Sequence, residues 1–432
     1  MTPRLRIPEA APSLWLEGYE FISKRRRRFH SDAFRGRLFF EPVVFLGGRD
    51  GAEVFYDSDR FRREDAAPPF VLKTLFGETG VQTLDDERHR HRKSLFLPLM
   101  STLATERLAL ALRGAWKRAA ARWVGRASVS LIDESHLVLC EAACDLCGIA
   151  LEPSEVDKLA VWCAAMIDGF ASVGPRGLRA LAARRLAEEW AERIIDGIRR
   201  GERAVEPGLS AERFALAATD GEGDPLPTSV AAVELLNVLR PIVAIGRFVA
   251  FAALALRDHP AYLEMLRADD LLFEPFVQEV RRFYPFTPFL AARARGDFVW
   301  RGVELREGEL CVLDVYGTNH DPRIWIEPER FWPERFLGRD VGAFELLAQG
   351  GGDVATGHRC PGEVLTVVAM QESLRFLTRE ITYTLPAQDL SVSLRRIPAR
   401  PASGVVMTDV RAAPVQLPIV VVSPRVDRND LM

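Results

Sequence analysis

Gly357-His358-Arg359-Cys360-Pro361-Gly362 places one cysteine in a glycine-rich loop just ahead of an apolar helical pattern. The glycines of Gln349-Gly350-Gly351-Gly352, upstream, let backbone come close to a flat ligand. Proline after the cysteine suits a first helical position. A sulfur there faces free amide N–H groups and the positive end of a helix dipole, which favours a metal-ligating thiolate. Two plainer readings stand beside this one. Gly352 to Gly357 has the spacing of a phosphate loop, but His358-Arg359 replace its Lys-Ser/Thr pair, so that reading fails. Taken alone, the loop fits a buried structural cysteine equally well.

Arg240 lies in LLNVLRPIVAIGRFVAF, among Leu, Val, Pro and Ile. A guanidinium in such surroundings needs an anion, because an unpaired buried charge is very costly. Pro241 breaks the helical hydrogen-bond ladder and opens the backbone beside it. The anion is either a carboxylate elsewhere in the chain or the carboxylate of a bound acid, gripped by two parallel hydrogen bonds. His89 and Lys93 in DERHRHRKSLF share a helix face, which a solvated helix of mixed charge explains without any ligand. Glu279 and Arg282 in QEVRR also share a face, and a weak surface pair is the usual outcome of that spacing. Cys140, Cys144 and Cys147 have the spacing of an iron–sulfur motif. Their context, HLVLCEAACDLCGIAL, puts them on one apolar helix face as small buried residues.

These residues need elements to hold them. PVVFL and AEVFYD around Gly47-Gly48-Arg49-Asp50-Gly51 read as a hairpin over 42–57. From about 88 to 205 apolar residues recur at three and four positions, a helical pattern. Long helices are expected at about 229–257, 271–284 and 361–378. DFVWRGVEL and LCVLDVY read as the two arms of a second hairpin, and 321–352 as irregular. The expectation is a mainly α chain with small β-sheets, one catalytic domain over 1–432. It has a β-containing part at about 38–60, a helical core at about 88–285 and the cysteine loop at about 349–362.

With 432 residues, 48% of them hydrophobic, and a net charge of -3, the chain has material for a large core and no pull towards nucleic acid. The basic run Lys24 to Arg28 reads as a solvated helix face. No secretory signal is visible at the N-terminus. Pro241 to Leu256, broken by Arg247, is too short and charged for a bilayer span of about 20 apolar residues. Six sparse cysteines fit a reducing compartment, so a cytoplasmic location without a membrane span is expected.

The order Glu279-x-x-Arg282, then Pro333-Glu334-Arg335-Phe336, then the cysteine loop resembles the cytochrome P-450 superfamily. The resemblance implies the mainly α cytochrome P-450 fold and haem b (iron protoporphyrin IX) with Cys360 as axial iron ligand. It also implies a buried network of Glu279, Arg282 and Arg335, and contacts to haem from His89, Lys93, Arg63 and Arg359. This sequence departs from the common pattern in three places. Gln349 and three glycines stand near where most members have phenylalanine, His358 stands where most have arginine, and Arg240-Pro241 replaces the acid–alcohol pair of the central helix.

That combination resembles the bacterial fatty-acid peroxygenase branch, the fatty acid α/β-hydroxylases. The likeness runs through LFGETGVQTLDDERHRHRK, LRPIVAIGRFVAF, QEVRRFYPFTPFL, DVYGTNHDP and the cysteine loop. It implies hydrogen peroxide as oxygen donor with no obligatory redox partner. A fatty acid held by Arg240 would supply, through its own carboxylate, the acid–base role absent from the helix, beside Pro241. Hydroxylation at the α or β carbon follows, with minor decarboxylation to terminal alkenes. Gln82 matches a position where alkene-forming relatives have histidine, which favours hydroxylation, and Phe76 and Phe289 match pocket-lining positions. The competing readings are a monooxygenase fed by a redox partner and a non-catalytic haem-thiolate sensor.

Overall fold

Apolar residues at helical spacing dominate the sequence, and the computed structural model is accordingly mainly helical; it describes residues 3–5, 7–172, 174–220 and 223–413. The single-domain expectation extends over 414–432, which lie outside the described residues. The chain opens with α1 (Ala11–Glu17), α2 (Phe21–Phe29), β1 (Ala33–Leu38), β2 (Glu41–Gly47) and α3 (Gly48–Phe55). Next come β3 (Phe61–Arg62), α4 (Pro69–Val71) and α5 (Asp86–Ser94). The helical body follows as α6 (Thr102–Trp123), β4 (Val129–Ser130), α7 (Leu131–Cys147), α8 (Pro153–Asp168), α9 (Pro175–Arg199), α10 (Ser210–Glu212), α11 (Thr228–Ala244) and α12 (Gly246–Asp258). Then come α13 (Ala261–Ala268), α14 (Phe273–Phe283), β5 (Phe289–Ala294), β6 (Phe298–Trp300), β7 (Val303–Leu305), β8 (Leu310–Asp314) and α15 (Val315–Asn319). The cysteine loop leads into α16 (Glu363–Arg375), and β9 (Ile381–Thr384) and β10 (Val406–Ala412) follow.

Local chemistry starts and stops these helices. The Ser101 hydroxyl accepts from the Ala104 amide at the head of α6. Glu152 and Glu155 form a capping box on α8. Gly148, at φ 77°, ends α7 in the left-handed conformation that glycine tolerates best. In α11, Ala231 to Arg240 are buried without a break, so the helix is enclosed on all sides, packed by α7, α8 and α9. The combined run Thr228–Asp258 is long and apolar enough to cross a bilayer, more than the sequence reading allowed, but 94% of its most apolar stretch is buried inside the protein.

The larger sheet has the order β1-β2-β8-β5-β3. β2 runs parallel to β8, and β8 lies between β2 and β5 with every residue buried. Two expected hairpins are corrected here. The first lies over 33–47, and AEVF belongs to α3, with Tyr56 and Asp57 just past its end. Its alternating look arises from a short helix that buries Ala52, Val54 and Phe55 and exposes Glu53, a pattern too short to separate the two periods. In the second, FVW and VEL pair with each other as β6 and β7, while LCVLD leaves to join the large sheet. The expected helix over 229–257 is divided at Ile245. The basic run is also not wholly solvated. Arg26 is buried and pairs with Asp314 at 3.2 Å, Asp321 at 2.9 Å and Asp32 at 3.0 Å, tying α2 to the sheet.

Candidate active site

Cys360 is presented by a loop closed on itself. Its amide donates to the Gln349 carbonyl at 3.0 Å. The Gln349 side-chain oxygen accepts from Arg281 Nε at 3.0 Å, and Arg281 also pairs with Glu363 at the start of α16. Glu363 takes Arg359 Nε at 2.7 Å as well. Gly350 has φ 92°, and a Cβ there would meet Tyr56 Oη at 2.7 Å, so this position requires glycine on two counts. The helix begins at Glu363, so Pro361 lies in the preceding turn and not at the first helical position. The Gly362 amide donates to the cysteine sulfur, yet burial dominates and pushes the thiol above its ordinary value. The helix end therefore does not by itself make the thiolate expected from sequence. A bound metal cation deprotonates such a thiol outright.

A group of basic side chains surrounds the loop. His89 and Lys93 of α5 are buried, and His89 stacks on His358 at 4.0 Å between ring centroids. Burial, with His358 next, pushes His89 down to about 3, and burial lowers Lys93 to about 8. Lys93 Nζ donates to the Gly357 carbonyl and, at 2.8 Å, to that of Arg359. Arg63 lies over the Phe55 ring at 4.1 Å and leaves Nη1 buried without a partner. Among the described residues, no carboxylate pairs with the side chains of His89, Lys93 or Arg63. Buried donors without counter-charges beside a cavity-lining thiol suit the anionic propionates of haem. Arg359 differs, because Glu363 already neutralises it.

Cys360 lines a cavity of about 440 Å³, and so do Arg240, Pro241, Gln82, Phe76 and Phe289. Residues chosen from separate stretches of sequence thus meet around one space. Arg240 is buried; its Nη2 donates to Asn237 Oδ1 at 3.1 Å, Nε has no partner, and the cation lies over the Phe76 ring at 5.6 Å. No described carboxylate pairs with it, so among the described residues no structural counter-ion holds this charge. Burial, and then Arg184, weaken its hold on the proton. Pro241 does not break α11, which continues to Ala244; it only denies the Asn237 carbonyl its usual donor.

Sequence reading found no acid near Arg240. Glu234 is nonetheless there, fully buried, taking Arg92 Nη1 at 2.8 Å and Asn237 Nδ2 at 3.0 Å. The E-x-x-N-x-x-R spacing in VELLNVLRP was the available signal for Glu234 and Asn237. Arg281 and Glu363, which brace the cysteine loop, were missed as well, since their partners lie far off in sequence.

On α14, Glu279 takes Arg282 Nε and Nη2, each at 2.7 Å, and the Trp332 amide at 2.8 Å. Arg335 Nε reaches the same carboxylate at 3.2 Å. All three side chains are buried, so this is a core network and not a surface pair. Cys140, Cys144 and Cys147 are buried in α7, and among the described residues no group of three His, Cys, Asp or Glu side chains is placed to hold a metal ion.

The mainly helical fold and a cysteine loop facing this cavity define a haem-thiolate protein. A family model described as Cytochrome P450 matches residues 269–384. "Putative cytochrome P450 138" of Mycobacterium bovis is 26% identical over 419 residues, covering 88% of this chain and 90% of the relative. The structure of "Cytochrome P450EX alpha (CYP152N1) wild-type with myristic acid" superposes with a TM-score of 0.92 at 40% identity, over 96% of this chain and 100% of that one. A variant of Cytochrome P450SP alpha (CYP152B1) gives 0.92 at 41% identity, over 94% and 100% of the two chains. A variant of cytochrome P450 OleT in complex with arachidonic acid gives 0.93 at 33% identity, over 96% and 100%. The chain belongs to the cytochrome P450 superfamily and, within it, to the CYP152 family. Its cofactor is haem with a cysteine thiolate ligand.

Proposed function

We propose that this chain is a fatty-acid peroxygenase that uses hydrogen peroxide to hydroxylate the α or β carbon and needs no redox partner. The supporting observation is Arg240, a buried cation with no carboxylate partner among the described residues, lining the same cavity as Cys360. Two of the similar structures were solved with myristic and arachidonic acid, acids of the kind such a cation would hold.

Cys360 would ligate haem, with His89, Lys93 and Arg63 placed to contact it, and the bound group would supply cleavage of the peroxide O–O bond. The chain's own residues supply position and proton handling. Arg240 grips the substrate carboxylate through two N–H groups. The carboxylate, fixed beside the reaction centre, takes the acid–base role. Holding the head group would fix the first carbons of the chain relative to the haem, so regiochemistry follows from position. Phe76 and Phe289 line the path and keep water out. The net change is R–CH2–COOH + H2O2 → R–CHOH–COOH + H2O. Gln82 offers a neutral amide, which favours this outcome over decarboxylation to an alkene.

The test is incubation of haem-loaded protein with a long-chain fatty acid and peroxide, with product analysis. Hydroxy acids without any reductase support the proposal. Unchanged substrate, or turnover only with NAD(P)H and redox proteins, overturns it.

A further inference from the structure

We infer that Glu234 and Asn237 are positioning residues that orient the Arg240 guanidinium and tie it to the helix carrying His89 and Lys93. The inference rests on the proposed role of Arg240 in holding a carboxylate. Glu234, Asn237 and Arg240 follow at intervals of three on α11 and so lie along one face.

The direction of the Asn237 amide is dictated by its neighbours. Its Nδ2 lies 3.0 Å from Glu234 Oε2 and 3.3 Å from Gln82 Oε1. Both are oxygens, and an ionised carboxylate can only accept. The NH2 end must therefore face them, which turns Oδ1 towards Arg240 Nη2 at 3.1 Å. A reversed amide would put NH2 against guanidinium and oxygen against oxygen. Glu234 enforces this order only while it stays charged in a fully buried place, and its counter-charge is Arg92 at 2.8 Å. Arg92 sits on α5 between His89 and Lys93. One ion pair thus links the haem-side helix to the substrate-side helix.

A separate feature supports the same arrangement. Gly80 has an ordinary negative φ of -71°, so conformation does not require glycine there. Space does: a Cβ would stand 2.7 Å from Gln82 Oε1, 2.8 Å from Asn237 Nδ2 and 2.8 Å from the Phe76 carbonyl. The two amides meet where a side chain is missing.

The test uses haem-loaded full-length protein, optical titration with myristic acid, and the α:β product ratio under peroxide. Glu234→Gln and Asn237→Leu should each raise the Kd three- to tenfold, the range for loss of one hydrogen bond, and shift the product ratio, with haem content retained. Because Glu234 acts through Asn237, the double variant should bind no worse than Asn237→Leu alone. Additive losses, or an unchanged Kd and ratio, overturn the inference. Should Glu234→Gln fail to load haem, Gly80→Ala disturbs the same amides without altering charge, and unchanged binding and ratio there are equally fatal. Wild-type protein that binds no myristic acid sinks the fatty-acid reading and this inference together. Wild-type binding that is lost in Arg240→Ala, with the relay variants unaffected, sinks this inference alone.

Discussion

Arg335 reaches Glu279 at 3.2 Å, bringing a turn residue onto a helix carboxylate that also takes Arg282. Breaking a buried pair by removing one partner leaves uncompensated charge and costs about 3–5 kcal/mol. Glu279→Leu strands two arginines at once. Denaturant unfolding should show a loss of at least that size, with poor haem incorporation. Unchanged stability would mean the network is not buried as described.

Arg240→Ala is expected to abolish the optical response to fatty acid and the peroxide-driven turnover, while haem content and the sulfur-ligated Soret band persist. Arg240→Met should also raise the thermal midpoint, because it removes a buried charge that has no carboxylate partner among the described residues. A lower midpoint together with intact binding would show that the cation is structural.

Gln82→His tests the product choice. Histidine offers an ionisable ring where the present side chain is neutral, so the alkene fraction should rise at the expense of hydroxy acid. Gas chromatography of the products reads this directly, and an unchanged ratio removes Gln82 from the decision.

Stability should fall steeply in acid. Burial alone would raise Asp85, Asp168 and Asp321, but hydrogen bonds and charges from His358, Arg396 and Arg323 outweigh it and hold each at about 2, below the ordinary 3.8. A carboxyl depressed in the folded state contributes stability that is present above 3.8 and lost as pH falls through 2. Glu234 and Asp314, raised by burial, act in the opposite sense. Urea unfolding between pH 5 and 2 should show the loss, and Asp168→Asn should flatten it.

Short motifs survived the step from sequence to structure because their chemistry is local or ordered along the chain. The cysteine loop, the Glu279–Arg282 face and the apolar stretch around Arg240 are each readable within a few residues. The cysteine loop and Arg240 meet at one cavity, while Glu279 and Arg282 lie outside its lining in a buried network. The misreadings share a cause. AEVFYD is too brief for its period to tell helix from strand, and LCVLD looks the same whether it pairs locally or enters a central sheet position.

Sequence alone determined which residues could ligate and clamp, because side-chain chemistry travels with residue type; the bracing pair Arg281 and Glu363 it did not give. Only tertiary structure decided which of them lack partners. Arg26 found three carboxylates and Arg240 found none among the described residues, though both are arginines in predicted helices. Arg92 and Glu234, 142 positions apart, meet only when two helices pack. Burial and pairing belong to the assembled chain, since both depend on what the rest of the molecule places alongside.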